Sequence, residues 1–515
     1  MTARRCRAPV ALLATAVVVT ACALAAPAAA TDATTTTVWP PLRPFDPAIT
    51  WAPCHDGWEC GTLTVPVDWT RAAGGDTTRG TVPLALARLP ASSPEARIGV
   101  LVVNPGGPGQ GGTDAVPRVA RRFPATVLDR FDLVTWDPRG TGASRPVDCV
   151  DDAYLDLAAG APVVPETTEQ LAVVRDYGEG FARGCKDRMG SYARHVGTRS
   201  SARDLEAIRI ALGEPAISYL GFSYGTVLGM TYAQMYPSVV RAMVLDGPPD
   251  YWLAALDYAY AQANGFTRAL DAFLTWCEGE SSCRLRDAGA PRETFDALRT
   301  TVRATPLAAE YRVGDVTRAG PVTENVLATA VFSALYDERA WPTLGQALAR
   351  AAGDGDGSEL LALADDYLGR DPGGAYSSLV EANAVIRCVD LPDRTPRSVA
   401  RELADVRRFQ ADLPPWGGNW ATSGCAGMPK PARSDVLGDV RVAGTPPLLV
   451  VGTTGDPATP YPGAVAILSR IAGAGLLTFE STDHTAFGTA RSTCIDDAVT
   501  AYLVDVALPA PDTRC

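Results

Sequence analysis

Ile217-Ser218-Tyr219-Leu220-Gly221-Phe222-Ser223-Tyr224-Gly225-Thr226 passes from an apolar, strand-like run into a helical pattern that reads from Thr226 to Tyr236. At its centre lies G-x-S-x-G, Gly221 to Gly225. A strand-to-helix turn this tight brings the two backbones so close that flanking side chains would collide, hence the glycines. The same turn pushes the serine oxygen out at the carboxyl edge of a sheet. The helix that follows offers free N–H groups to a developing negative charge. Two glycines and a serine coincide often, so the strand–turn–helix context gives the motif its weight. The competing reading is a surface turn with an ordinary serine.

Outward from this point the pattern is α/β. Residues 98–103 form a bare apolar run ending in Asn104-Pro105-Gly106-Gly107-Pro108-Gly109, and residues 131–136 form another ending in Asp137-Pro138-Arg139-Gly140. Such runs fit strands buried on both faces of a parallel sheet. Residues 61–66 and 81–89 read as earlier strands joined by the turn-rich Ala73-Gly74-Gly75-Asp76, and 239–245 as the strand after the helix. Ser201 with Asp204 reads as a capping box opening a helix that Gly213 stops. Between about 250 and 415 the period turns helical, as in 343–352, with few strand-like runs. Strand character returns at 446–452 and 475–479. The expected fold is α/β, a mostly parallel doubly wound sheet with an inserted helical cap. The expected layout is an export signal (1–30), a Thr/Pro-rich linker (31–50), a first core part (51–249), the cap (250–415) and a C-terminal core part (416–515).

A serine nucleophile needs a base held in one tautomer by a carboxylate. Of the three histidines, His55, His195 and His484, only His484 follows the Ser223 turn. It comes after the strand-like 476–479. Asp456, in Gly455-Asp456-Pro457, sits at the carboxyl end of the strand-like 448–451, where sheet enzymes place catalytic groups. Asp483, Asp496 and Asp497 are the alternatives. Asp483 adjoins His484 and is poorly placed to receive from its neighbour's ring. His195 reads as a loop residue, and His55 as structural or exposed. A tetrahedral oxyanion needs two preset N–H donors. Tyr224 supplies one, and the glycine loop the other, through Gly107 first and Gly106 next; Pro108 has no N–H. Read otherwise, that loop is a plain glycine-rich connection, and it lacks the Lys and Ser/Thr of a phosphate-binding loop.

Composition narrows the function. The chain has 515 residues, 47% hydrophobic and 20% charged, a globular mix that excludes general disorder. With 46 Lys+Arg against 58 Asp+Glu the net charge is −12, which argues against a nucleic-acid binder. No two histidines are close in sequence and no C-x-x-C pair occurs, so neither a metal nor another cofactor is expected. Arg4, Arg5 and Arg7 precede an apolar stretch, 10–19, too short to span a bilayer. Ala28-Ala29-Ala30 is a cleavage site for full secretion. Val19-Thr20-Ala21-Cys22 instead resembles a bacterial lipobox that would put a lipid anchor on Cys22. Beyond Cys6 and Cys22, ten cysteines fall as near neighbours: Cys54/Cys60, Cys149/Cys185, Cys277/Cys283, Cys388/Cys425 and Cys494/Cys515. In an exported chain these imply disulfides, and five local bridges are favoured, although spacing alone does not fix the connectivity.

Taken together, Asn104 to Gly109 (N-P-G-G-P-G), Asp137 to Gly142 (D-P-R-G-T-G), Gly221 to Thr226 (G-F-S-Y-G-T), Asp456 to Pro460 (D-P-A-T-P) and His484 resemble the α/β-hydrolase peptidases of the proline iminopeptidase group. The likeness is strongest to the secreted tripeptidyl aminopeptidase-like (TAP-like) proteins of bacteria. The order Ser223, Asp456, His484 is the α/β-hydrolase order. Gly111 stands where a serine is common, and Asp483 where glycine is usual. The resemblance implies an exported serine exopeptidase acting on peptides with a free N-terminus. A carboxylesterase or lipase would use the same triad, and a non-catalytic surface lipoprotein is the third reading. An aminopeptidase must pair the substrate ammonium with a carboxylate; Glu381 and Asp390 are the candidates in the cap, against a structural role for both.

Overall fold

The bare apolar runs become the middle of one sheet. The computed structural model describes residues 48–72, 80–391, 397–422 and 425–515. The expected export signal, the linker up to residue 47 and the turn from Ala73 to Asp76 lie outside the described residues. The strands are β1 (Ala52–His55), β2 (Trp58–Pro66), β3 (Thr81–Leu89), β4 (Gly99–Asn104), β5 (Phe131–Trp136), β6 (Ile217–Phe222), β7 (Val240–Asp246), β8 (Leu307–Val313), β9 (Val316–Val322), β10 (Leu449–Thr453) and β11 (Gly475–Phe479). Nine of them form one sheet in the order β1-β2-β3-β5-β4-β6-β7-β10-β11. Pairing is antiparallel from β1 to β3 and between β3 and β5, and parallel from β5 to β11. This is the doubly wound α/β sheet expected from the sequence.

Every residue of β4 and of β10 is buried, as a central parallel strand requires. Alternate residues feed two cores. Val100, Val102, Tyr219 and Leu245 pack with Leu205, Ile208, Val227 and Leu228 of the helices Thr198–Ala211 and Tyr224–Met235. Leu101, Val103, Leu220 and Val244 pack on the other face with Ile495, Val499 and Leu503 of the helix Thr493–Asp505. Each fully buried aliphatic side chain contributes about 1.5–3 kcal/mol relative to exposure.

Three expectations need correction. The helix before β6 starts at Thr198 with Gly197 as its N-cap, so Ser201 and Asp204 lie inside it. Asp204 instead forms a fully buried bidentate pair with Arg139 of the D-P-R-G-T-G stretch, at 2.6 Å on both bonds. The helix after β6 starts at Tyr224, because glycine at 225 permits close packing rather than breaking the turn. The segment expected to be a helical cap also contains a hairpin, β8 paired antiparallel with β9. Its outer face is exposed, so it shows no long apolar run.

The remaining cap helices close a third core around Phe266, Phe273, Leu327, Leu344, Leu348 and Phe409. Helix Leu379–Asp390 departs from them: its Ala382, Val385, Ile386 and Val389 join the sheet-side core. Among the described residues five disulfides join Cys54–Cys60, Cys149–Cys185, Cys277–Cys283, Cys388–Cys425 and Cys494–Cys515. Among the described residues, no helix is long and apolar enough to cross a membrane.

Candidate active site

Strand order reverses at β4, whose neighbours are β5 and β6. A crevice at such a switch point is where open α/β sheets place their ligands. Asn104 and Gly221 are register partners there, so the glycine loop and the serine turn leave the sheet side by side. Ser223 has φ 54° and ψ −125°, a left-handed conformation for a residue with a side chain. Such a conformation costs on the order of 1–3 kcal/mol and persists only where its surroundings enforce it. Here the Ser223 N–H donates to the Asp246 carbonyl at 2.8 Å, and its own carbonyl accepts from the Thr226 hydroxyl at 2.6 Å. Gly106 shows how closely the two loops approach. At φ +96°, a Cβ on it would fall 2.5 Å from the Phe222 carbonyl oxygen and 3.2 Å from the Tyr224 nitrogen.

Asp456 follows β10 and is 2% exposed. Its carboxylate accepts from the Ala458 N–H at 2.9 Å, the Thr459 N–H at 2.7 Å and the Thr459 hydroxyl at 2.9 Å. Both of its oxygens lie 2.9 Å from His484 Nδ1. That contact fixes Nδ1 as the protonated nitrogen and leaves the Nε2 lone pair free to take a proton. Burial pulls the His484 pKa down, but the Asp456 charge and hydrogen bond, with the Asp246 charge, outweigh it and hold the pKa above its ordinary value. The cap reaches His484 too: its backbone N–H donates to the Tyr336 carbonyl at 2.8 Å, and the Tyr336 ring stands edge-on to the imidazole at 5.1 Å.

Ser223 is tied to this pair through Asp246, the last residue of β7. The Asp246 carboxylate accepts from the N–H groups of Ala486 at 3.1 Å and Phe487 at 2.8 Å, just past His484. Burial pushes its pKa up to about 7 against those two donors and the His484 charge. The alternative carboxylates lie elsewhere. Asp483 accepts from the Glu338 N–H at 2.8 Å and Arg491 Nε at 3.0 Å, which gives the residue in the usual glycine position a role pinning the cap. Asp496 accepts from the Gly488 N–H at 2.9 Å.

Of the candidate oxyanion donors, Tyr224 opens a helix, where its N–H has no intrahelical acceptor. The Gly106 N–H is already given to Asn104 Oδ1 at 3.1 Å. Gly107 is the remaining candidate in the loop.

The two cap carboxylates considered for a substrate amine are committed within the fold. One oxygen of Glu381 accepts from the N–H groups of Cys149 at 2.7 Å and Val150 at 3.0 Å. Asp390 accepts from the Thr198 N–H at 2.9 Å and from the Thr198 hydroxyl, which in turn meets the Tyr224 hydroxyl. Burial pushes the Asp390 pKa up to about 7. His195 is not an open loop residue; it is 1% exposed, with Nδ1 3.1 Å from Asp435. His55 is exposed and lies close to Cys54 and Cys60, but the disulfide removes both thiolates as metal ligands.

Three residues were missed from the sequence: Asp246, Thr459 and Tyr336. Thr459 lies inside the quoted D-P-A-T-P stretch, and Asp246 one residue past an expected strand. Both were therefore visible as carboxyl-edge polar residues. Tyr336 reaches the site only by tertiary packing.

The family described as TAP-like protein matches residues 412–515. Serine protease Hip1 of Mycobacterium tuberculosis is 36% identical over 492 residues, covering 93% of this chain and 90% of that protein. Carboxylesterase B of the same organism is 34% identical over 465 residues, with coverages of 88% and 86%. Tripeptidyl aminopeptidase of Streptomyces lividans is 30% identical over 487 residues, with coverages of 91% and 86%.

Proposed function

The chain belongs to the TAP-like α/β-hydrolases, and from that premise we propose that it is a serine peptidase acting on peptides with a free N-terminus, with Ser223 as nucleophile, His484 as base and Asp456 as the carboxylate that orients it. His484 Nε2 takes the Ser223 proton as the serine oxygen attacks the peptide carbonyl. The N–H groups of Tyr224 and Gly107 receive the oxyanion. His484 then gives its proton to the leaving amine, and water releases the acyl group from Ser223 by the same steps. The observation that carries this reading is the pair of 2.9 Å contacts from Asp456 to His484 Nδ1 at the carboxyl edge beside the strained Ser223 turn. The names of two relatives, a serine protease and a tripeptidyl aminopeptidase, support peptide substrates.

The other parts of the reading are of the same standing. Segment 250–415 acts as a cap closing one end of the groove, between core parts 51–249 and 416–515. Residues 1–30 direct export to the outside of a bacterial cell, by full secretion or with a lipid anchor on Cys22.

Carboxylesterase activity is the second reading. It is favoured by the esterase name of one relative and by the internal hydrogen bonds that occupy Glu381 and Asp390. The deciding assay compares a tripeptide amide with its N-acetylated form and a simple acyl ester. The peptidase reading expects the free peptide to be cut fastest and acetylation to abolish most turnover. Equal cleavage of both peptides, with the ester faster than either, establishes the esterase.

A further inference from the structure

Helix Leu379–Asp390 forms part of the wall beside the glycine loop: Asn383 Nδ2 donates to the Pro108 carbonyl at 2.9 Å. Arg387 lies four residues further on, on the same helix face. It is half-buried. Among the described residues its guanidinium has no hydrogen-bond acceptor and no carboxylate within 4.0 Å. Three other cap arginines differ. Arg318 holds Asp365 at 2.9 Å, Arg370 holds Asp156 at 3.0 Å and Arg339 holds Asp337. A partly dehydrated cation without a counter-charge is unfavourable, so the missing partner calls for a reason.

The surroundings of Arg387 are aromatic and lead to the proposed catalytic groups from two sides. The guanidinium stands over the Tyr258 ring, 5.5 Å from its centre. Burial raises the hydroxyl pKa values of Tyr251, Tyr258 and Tyr367, and the Arg387 charge acts against it in all three, which places the cation among them. On one side the Tyr367 hydroxyl lies 3.2 Å from that of Tyr336, whose ring stands against His484. On the other, Tyr251 packs edge-on at 6.0 Å against Tyr224, the residue after Ser223. Tyr367 remains 36% exposed, so this ring group opens to solvent.

We propose that Arg387 is a specificity-determining residue that pairs with a carboxylate of the substrate, so that the enzyme prefers substrates carrying an acidic group close to the bond it cuts. This rests on the serine-hydrolase reading of Ser223 and His484. A guanidinium flanked by rings offers a planar pair of donors that matches a carboxylate, and the low local polarity strengthens the bond. The carboxylate has two possible sources, an Asp or Glu side chain or the C-terminus of a short peptide.

The test measures kcat/KM of the full chain on matched pairs of peptides with a free N-terminus. One set exchanges Glu for Gln at each position around the scissile bond. A second compares the C-terminal acid with the amide. A third pair, a half-ester of a dicarboxylic acid and its neutral diester, carries the comparison to ester substrates. The wild type should favour the acidic member of at least one pair by roughly 10–100-fold, the worth of a hydrogen bond to a charged partner. Arg387→Gln should bring that ratio close to one while turnover of the neutral member stays near wild type, and Arg387→Lys should keep part of the ratio. The Glu/Gln and acid/amide sets tell the two sources apart. A flat ratio in every pair overturns the proposal, as does a preference that survives Arg387→Gln. Turnover of the neutral members reports separately on the hydrolase reading: loss there with an intact ratio on esters removes the peptidase and leaves Arg387 standing.

Discussion

The carboxyl edge of the sheet and the core of the cap are held together by different chemistry. At the edge, Asp246 and Asp456 are both 2% exposed or less, and each is met by backbone N–H groups, with a hydroxyl and an imidazole added at Asp456. In the cap, rings pack on rings: Phe266 lies 5.0 Å from Phe332, and Phe273 meets Trp341 edge-on at 5.8 Å. Buried polar networks are directional and lose much when one partner goes, whereas apolar packing is graded and tolerant. Substitutions at the edge should therefore act on rate, and substitutions in the cap core on stability.

The sharpest break in this contrast is Ser223→Ala. Turnover should fall on the order of 10⁶-fold, while the unfolding midpoint stays near wild type because the side chain lies outside the cores. Asp456→Asn should follow with a loss of roughly 10⁴-fold in kcat from the wrong imidazole tautomer, read by steady-state kinetics with unchanged circular dichroism. Asp246→Asn should cost about 10–100-fold, the worth of a charge-assisted hydrogen bond to the Ala486 and Phe487 N–H groups. A loss matching that of Asp456→Asn would make Asp246 a second orienting carboxylate.

The pH profile sharpens the same contrast. The base must be neutral to act, and the folded protein holds the His484 pKa above its usual 6.5. Activity should therefore rise with pH through a midpoint above 6.5 in kcat/KM, and Asp456→Asn should move that limb down. At the other end, Phe409→Ala in the cap core should leave the kcat/KM of folded protein almost unchanged and lower stability by about 3–5 kcal/mol in denaturant unfolding. A large fall in rate without a loss of stability would contradict the division between edge and cap.

The same division explains what could be read from the sequence. The edge is local: each strand hands its polar residue to the next turn, so Ser223, Asp456 and the glycine loop stand out as short motifs. The five cysteine pairs are local as well. The cap gives no such signal. Its hairpin β8–β9 is largely exposed and so lacks an apolar run, and Tyr336 reaches His484 across 148 residues of chain. For Glu381 and Asp390 the sequence leaves an amine-binding and a structural role both open, because their partners, the Cys149 and Val150 N–H groups and Thr198, are distant in sequence. Ser201 and Asp204 matched a capping pattern, but the buried Arg139 claims Asp204 for the middle of the helix.

Reaction with a fluorophosphonate, followed by peptide mapping of the labelled residue, tests the central claim most directly, because the reagent captures only a serine activated by its base and oxyanion donors. The account predicts one adduct, on Ser223, lost in Ser223→Ala and strongly slowed in His484→Ala. Label on another residue, or labelling of Ser223 at full rate without His484, would contradict it.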